Sequence, residues 1–319
     1  MPTQRETNPY KNTDSNKRYF TYDYYLRKTF GGKCLKIPLD IGCTCPNIDG
    51  NRGKGGCIYC SSRGSGDFAP ARALSIAEQC ARGREALLKK WDTDRIIPYF
   101  QAHTNTYGDV RFLREKFYEA LALDNVVAMN IATRADCISE EILDTLCEIA
   151  ERTVLTVELG LQSTNDKTAA LINRCHTYAE FLDGYNRLRA ASDKIRIGVH
   201  IIDGLPNETE SDMMQTAKDV AALRPNEVKI HLMHVIKGTQ LAKMYENGEY
   251  APLDLDTYAR VVANQLTVMP PETVIGRVTG DGVQSDLLAP LWSLRKTNVI
   301  NTIDKLMYAE NLWQGKNYK

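Results

Sequence analysis

The chain has 319 residues, 43% hydrophobic and 25% charged, which is the size and composition of an ordinary globular protein with one large core or two modest ones. Its formal net charge of zero argues against a protein that coats nucleic acid through bulk attraction. No run of roughly 18 apolar residues and no apolar leader segment is found, so we expect a cytoplasmic protein without a membrane partner.

Residues 1–34 are predicted to form a basic and aromatic arm. Basic residues, Arg5 among them, outnumber acidic ones over the first forty positions, and tyrosines lie between them, most densely at Tyr19, Tyr22, Tyr24 and Tyr25. Bases and aromatic rings together can grip a nucleic-acid strand through phosphate contacts and stacking. The alternative interpretation is an arm that packs its rings on the rest of the protein.

From residue 35 onward, short runs rich in β-branched residues alternate with amphipathic segments of helical length, which is typical of βαβ units around a parallel sheet. Helix starts are predicted at Ser75, where Glu78 completes a capping box, and at Ser139 and Thr209. Such a chain forms an open doubly wound sheet or a barrel, and ligands then bind at the carboxyl ends of the strands. The six predicted strands are 35–41, 96–101, 126–132, 154–161, 195–202 and 228–232.

We assign residues 35–250 to this sheet and residues 251–319 to a short C-terminal extension. The extension is predicted to contain a helix at 254–268, a strand at 273–278, a glycine-rich turn and a last helix at 297–310. This is too little for a second catalytic domain. We expect the extension to pack as a cap on the core, with a substrate lid as the alternative.

Four of the nine cysteines fall in one glycine-rich segment after the first predicted strand: Cys43, Cys45, Cys57 and Cys60. The odd total argues against a disulfide framework, and we expect the other five to be packing residues. Three thiolates can hold three irons of a [4Fe-4S] cluster and leave the fourth iron open to a chelating ligand. Four thiolates can instead form a structural zinc site, and the spacing alone does not decide between them.

Several short motifs follow one another in a fixed order along the chain. They are Cys45-Pro46-Asn47, Gly55-Gly56-Cys57, Tyr59-Cys60, Thr133-Arg134-Ala135-Asp136, Glu158-Leu159-Gly160-Leu161-Gln162, Ile172-Asn173-Arg174 and Arg277-Val278-Thr279-Gly280-Asp281. Together they resemble the YhcC/YtqA-type radical S-adenosylmethionine (radical SAM) proteins, relatives of the radical SAM domain in the Elongator catalytic subunit. The resemblance covers nearly the whole chain.

This resemblance implies an α/β fold, a partial (β/α)6 TIM-like radical SAM barrel with a short C-terminal extension. It also implies that Cys45, Cys57 and Cys60 bind a [4Fe-4S] cluster, whereas Cys43 stands where relatives carry an apolar residue. S-adenosyl-L-methionine (SAM) would chelate the open iron, and one electron would then cleave it to a 5′-deoxyadenosyl radical. A reducing partner such as flavodoxin or ferredoxin is implied as the source of that electron.

Further cofactor-binding residues are implied by the same comparison. Gln162, Arg174 and His200 fall where related enzymes contact the ribose or methionine part of SAM, and Tyr59 occupies the aromatic position whose backbone approaches adenine. At the end of the second strand, around Gln101 and Thr104, relatives place small glycines near the amino group of SAM. The bulkier residues of this chain leave that contact to the backbone.

Four residues are singled out by their own chemistry as well. Glu158 interrupts an apolar run, and a buried carboxylate needs a partner such as a ribose hydroxyl, an ammonium, Arg134 or Arg174. Arg134 and Asp136 follow the third strand and can orient either the cofactor or the substrate. The alternative interpretation of His200 is a hydrogen-bonded core residue.

The resemblance implies a tRNA substrate, because these relatives are linked to side chains at carbon 5 of wobble uridine. The implied step trims a carboxymethylaminomethyl group to aminomethyl. One alternative is a radical SAM enzyme that acts on a small metabolite or peptide. Another alternative is a zinc-braced binding protein without catalysis.

Overall fold

The computed structural model describes residues 8–64 and 66–319, so residues 1–7 of the predicted arm, with Arg5, lie outside the described residues. The strands are β1 Leu35–Leu39, β2 Ile96–Phe100, β3 Ala128–Thr133, β4 Val154–Gln162, β5 Arg196–Asp203, β6 Glu227–Leu232, β7 Val235–Ile236, β8 Val274–Arg277 and β9 Leu287–Ala289. The helices are α1 Tyr22–Phe30, α2 Ile76–Leu88, α3 Val110–Leu121, α4 Glu140–Ala150, α5 Asp166–Leu171, α6 Tyr178–Ala191, α7 Glu210–Ala222, α8 Gln240–Glu246, α9 Leu255–Val268 and α10 Lys296–Ala309. Two 3₁₀ turns cover Ala135–Cys137 and Leu291–Leu294.

The main sheet is parallel and has the order β1-β2-β3-β4-β5-β6-β8. The six predicted strands are therefore present in chain order, and the fold is the curled parallel half-barrel expected from the resemblance. The sheet has seven strands rather than six, because the strand predicted at 273–278 pairs with β6. β7 and β9, which the sequence did not predict, form a separate antiparallel pair.

The strands separate an apolar face from a polar face by strict alternation. In β1, Leu35, Ile37 and Leu39 are fully buried and belong to the main hydrophobic cluster, together with residues of the surrounding helices. The residues between them point to the inside of the curl, where β1 contributes Lys36. The outer face therefore holds the hydrophobic core, and the inner face is free to carry charged and small side chains.

The predicted helices begin at the expected residues, where side chains cap the helix N-termini through hydrogen bonds. Capping boxes form at Ser75 before α2 and at Thr209 before α7, and the Ser139 side chain accepts a hydrogen bond at the start of α4. Each cap satisfies a backbone N–H that a helix start would leave unpaired. Within residues 8–64 and 66–319, the helices are all too short or too polar to cross a bilayer.

Both ends of the described chain pack against the barrel. Tyr10 and Tyr19 of the arm are buried, and the backbone N–H of Phe20 donates to the Gln314 side chain at 2.8 Å. In the extension, Val299, Ile303 and Met307 of α10 are fully buried in the main core. The tyrosines of the arm thus pack on the body, and the extension packs as a cap.

A close helix contact gives the first testable prediction. On α6, a Cβ at Gly184 would lie 2.1 Å from the carbonyl oxygen of Ala135. Helix propensity alone favours Gly184→Ala by roughly 1 kcal/mol, but this contact forces the helix away and we expect a net loss of about 1–3 kcal/mol. Urea unfolding measures the loss, with the exposed Asn186→Ala on the same helix as control. A stabilised Gly184→Ala would contradict the contact.

Candidate functional site

The cysteine segment follows β1 and is held over the carboxyl end of the sheet by the chain that follows β2. The Gln101 N–H donates to the Leu39 carbonyl at 3.2 Å, and the Thr104 N–H donates to the Thr44 carbonyl at 3.2 Å. The His103 N–H donates to the Gly64 carbonyl at 2.8 Å. The predicted residues Gln101 and Thr104 therefore lie next to the cysteine segment, with their backbones rather than their side chains in contact with it.

Asn47 is the central residue of the brace that holds this segment. Its side chain is fully buried and donates to the carbonyls of Asn173 at 2.8 Å and Arg174 at 2.9 Å. Its oxygen accepts from Arg134 at 2.9 Å, and its amide nitrogen lies 3.5 Å from the Cys57 sulfur. One asparagine thus ties the cysteine segment to β3 and to the loop after α5.

Arg134 and Asp136 form the outer part of the same brace. Two hydrogen bonds of 2.9 and 2.8 Å join them, and both side chains are buried. Burial acts to raise the pKa of Asp136, but the hydrogen bonds and charge of Arg134 outweigh it and lower the pKa below its ordinary value. Both residues therefore carry full charges at neutral pH and hold the loop.

Two predicted residues, Gln162 of β4 and Arg174 after α5, meet at the end of β4. Arg174 donates to the Gly160 carbonyl, and the pairing of β4 with β5 shifts register between Gly160 and Gln162. Gln162 has a φ of 79°, so the bulge changes the direction of the backbone at this residue, at the mouth of the barrel. Tyr59 is half-buried on the other side of the cysteine segment, packed with the cluster of apolar residues that includes Ile172.

The thiols of Cys45, Cys57 and Cys60 are free and lie on this braced segment. Burial raises the pKa of Cys60, the neighbouring Cys57 and Cys45 raise it further, and Arg174 opposes them. Three adjacent sulfurs, one of them beside the Asn47 amide, form a donor set that suits a [4Fe-4S] cluster, in which each cysteine binds a different iron.

Cys43 differs from these three. Its side chain packs against the main hydrophobic core, and burial raises its pKa to about 12. Across residues 8–64 and 66–319, no three His, Cys, Asp or Glu side chains converge as ligands of a single metal ion. Cys43 therefore packs as part of the core.

Glu158 lies deeper, inside the curl of the sheet. Lys36 donates to its Oε1 at 2.7 Å and Asn130 to the same oxygen at 2.7 Å, while Lys229 donates to Oε2 at 2.5 Å and His200 to Oε2 at 2.9 Å. Of the expected partners, an ammonium is confirmed in Lys36 and Lys229, whereas a salt bridge to Arg134 or Arg174 is wrong, because both arginines are used at the mouth. The side chain of Glu158 thus contacts residues of four other strands, β1, β3, β5 and β6.

The protonation states inside the barrel follow from this network. Burial opposes charge on Glu158, but Lys229, Lys36 and His200 hold its pKa well below the ordinary value. Burial, reinforced by Lys229, lowers the pKa of His200 to about 4, so the ring is neutral at neutral pH. Because a carboxylate only accepts, the ring carries its proton on Nε2. Glu158 and His200 thus satisfy each other within the barrel.

The inner face is completed by residues to which the sequence assigned no role there: Lys36, Asn130, Lys229 and Arg277, the last named only as part of a motif. A signal was present in β6, where Glu227, Lys229 and His231 alternate with buried apolar residues. A polar residue at every second position of a central strand indicates a polar inner face. Asn47 was part of the cysteine motif, but its bracing role depends on partners about 87 and 127 positions away.

Known proteins share both this sequence and this fold. The sequence profile of the radical SAM superfamily matches residues 47–220, and that of the radical SAM C-terminal domain matches residues 225–309. YtqA of Bacillus subtilis is 45% identical over 311 residues, which cover 98% of this chain and 96% of YtqA. A Methanocaldococcus jannaschii protein named tRNA uridine(34) acetyltransferase is 25% identical over 158 residues, which cover 49% of this chain and 28% of that protein.

Among solved structures, the archaeal Elp3 of Methanocaldococcus infernus superimposes with a TM-score of 0.65 at 19% identity, covering 88% of this chain and 63% of that one. At this identity the likeness concerns the fold. The family resemblance inferred from the motifs is confirmed by the profile match and by YtqA.

The hydrogen bonds of Asn47 predict that Asn47→Ala binds the cluster more weakly. This change removes both hydrogen bonds to the loop after α5 and the acceptor of Arg134. We expect the affinity for the cluster to fall about 10–100-fold, as when a group that orients metal ligands is removed. The content of iron and sulfide per protein after anaerobic reconstitution measures this affinity. Asn51→Ala, an exposed position in the same segment, is the control, and equal iron in both variants would contradict the brace.

The buried network predicts a loss of stability in Glu158→Gln. It leaves Lys36 and Lys229 without their counter-charge, and we expect unfolding to become easier by about 3–5 kcal/mol. Because the folded-state pKa of Glu158 is depressed, its contribution is present above the unfolded pKa and is lost as pH falls through the folded pKa. Urea unfolding at neutral and acidic pH measures both effects.

The matched control is Glu148→Gln, whose carboxylate pairs with Arg114 on the surface. Exposed pairs contribute about 0–1 kcal/mol, so this variant should resemble the wild type. Equal losses in the two variants, or a Glu158→Gln loss that does not shrink at low pH, would be incompatible with a buried paired carboxylate.

Proposed function

Because this chain belongs to the radical SAM superfamily, we propose that it uses a [4Fe-4S] cluster on Cys45, Cys57 and Cys60 and SAM to modify the carbon-5 side chain of tRNA wobble uridine. The proposed step converts a carboxymethylaminomethyl group to aminomethyl. The observation that carries the radical chemistry is the three-thiol segment braced at the mouth of a parallel barrel. When bound, the reduced cluster supplies the electron that cleaves SAM to a hydrogen-abstracting 5′-deoxyadenosyl radical.

The residues of this chain orient the reacting groups and exclude water from that chemistry. Asn47 and Arg134 fix the thiol segment, and Gln162 and Tyr59 lie beside it at the mouth. Gly160 lies next to Gln162, and a Cβ there would come 2.9 Å from the Gln162 side-chain nitrogen and 3.1 Å from Arg174, so both side chains pack directly on this glycine. A substrate group held inside the curl of the sheet is separated from water by the surrounding strands, which a radical reaction requires.

The tRNA assignment is supported by relatives and by local charge. The matched archaeal relative is named for uridine 34, the wobble position. Although the net charge is zero, Lys54, Arg63 and Arg72 are exposed on the segment that carries the cysteines or just after it. Cations around the mouth favour the approach of a phosphate backbone. We propose flavodoxin or ferredoxin as the reducing partner.

Nucleoside analysis of tRNA tests the proposal. A strain without this gene should accumulate carboxymethylaminomethyl uridine at position 34 and lose nucleosides derived from the aminomethyl form. The wild-type gene and Cys147→Ala, which removes a thiol from α4, should restore the pattern, whereas Cys57→Ala should not. Unchanged wobble nucleosides in the deletion strain would contradict the tRNA assignment and favour a small metabolite or peptide substrate.

A further inference from the structure

A row of basic side chains crosses the inner face of the last strands. His200 on β5 is aligned with Lys229 on β6, and Lys229 is aligned with Arg277 on β8. Residues in register on neighbouring strands point to the same face of a sheet, so His200 and Lys229 both face the inside of the curl. The pairing of β6 with β8 shifts register just before Arg277, and the Arg277 charge adds to the effect of burial in lowering the pKa of the buried His231 and His234 rings. The seventh strand thus adds a guanidinium to the interior.

Lysine and carboxylate side chains share this interior. Glu158 is the shared counter-charge of Lys36 and Lys229. The Tyr99 ring lies between the two lysines, 4.0 Å from the Lys36 nitrogen and 4.9 Å from that of Lys229, and its π-face attracts both cations. Glu227, the other interior carboxylate, lies 4.0 Å from Lys229, and burial raises its pKa.

Arg277 is only loosely held by the protein. Its described ion-pair partner is Asp281 at 3.5 Å, and Asp281 also accepts from Lys296 at 2.9 Å. The guanidinium is half-buried and has five N–H donors, more than this contact uses. A planar two-oxygen acceptor matches the remaining donors.

Two histidines beside Arg277 also lack partners. Among the residues that the structure describes, the Nε2 atoms of His231 and His234 are buried without a hydrogen bond. The His231 ring lies 5.0 Å from the His200 ring, and His234 packs so closely on the turn after β8 that a Cβ at Gly280 would be 3.0 Å from it. Buried polar atoms without partners are costly, which points to a ligand that completes them.

We propose that Arg277, His231 and His234 form a binding site for a carboxylate on the substrate. The inference rests on the proposed function, in which the group removed from the uridine side chain carries that carboxylate. We take a carboxylate rather than a backbone phosphate of tRNA as the ligand, because the Nε2 atoms of His231 and His234 are buried. Arg277 supplies the charge and the paired donors, and each neutral imidazole donates one N–H.

The experiment compares the wild type with Arg277→Gln, both reconstituted anaerobically and matched for iron content and melting temperature. Each is titrated with tRNA carrying carboxymethylaminomethyl or aminomethyl at uridine 34. The wild type should bind the carboxylate form about tenfold or more tightly, as expected for charge-assisted hydrogen bonds. Arg277→Gln should lose this preference and keep its affinity for the aminomethyl form. Arg260→Gln, an exposed arginine on α9, is the control.

Two further measurements separate this site from its alternatives. SAM affinity should be the same in the wild type and in Arg277→Gln, and a loss confined to SAM would assign the arginine to the cofactor's carboxylate and overturn the proposal. N-Methylglycine, but not its amide, should shift the ring signals of His231 and His234 in the wild type and not in Arg277→Gln.

The N-methylglycine result does not depend on tRNA. If it is obtained while tRNA is not a substrate, the carboxylate site stands and the proposed function fails. Unchanged discrimination in Arg277→Gln, or no response of the histidines to N-methylglycine, would overturn the site. Arg277→Lys keeps the positive charge but loses the paired N–H donors of the guanidinium, so its preference for the carboxylate form should lie between those of the wild type and Arg277→Gln. This variant guards against a folding defect in Arg277→Gln.

Discussion

The buried carboxylate of Glu158 is the interaction on which the inner face of the barrel depends. It joins Lys36 of β1, Asn130 of β3, His200 of β5 and Lys229 of β6, so one side chain on β4 links strands on both sides of it. Removing one partner of such a group leaves charges stranded in a low-dielectric interior. The network therefore sets both the shape of the interior and its electrostatic character.

The mouth of the barrel is organised by a second network of a different kind. Asn47 and Arg134 both donate to the Arg174 carbonyl, and Arg134 also donates to the side chains of Asn47 and Asp136. These bonds fix the path of a segment that has little regular secondary structure. Loops that hold catalytic groups need such support from rigid elements. The rigid inner network and the mouth brace meet at β4, where Glu158 and Gly160 are two residues apart.

The sequence predicted the elements that depend on local pattern. Alternation located the six strands, serine and threonine caps located the helix starts, and the spacing of Cys45, Cys57 and Cys60 located the thiol segment. It did not predict the partners of Glu158, because these are set by strand order and register rather than by spacing. Nor did it place β8 in the sheet, since a four-residue strand after a long helical stretch carries no local sign of its neighbour. The pairing of Arg134 with Asp136 could have been predicted from their spacing, but the hydrogen bond from Arg134 to Asn47 could not.

The position of β8 has a chemical consequence as well as a structural one. A barrel that ended at β6 would expose Lys229 at its open edge, where water would screen its charge. With β8 in place, Lys229 is buried between His200 and Arg277, and burial with the nearby cations lowers its pKa to about 7 even though Glu158 opposes the shift. The strand that completes the sheet thereby places a second cation beside Lys229, in the interior where we propose that a carboxylate binds.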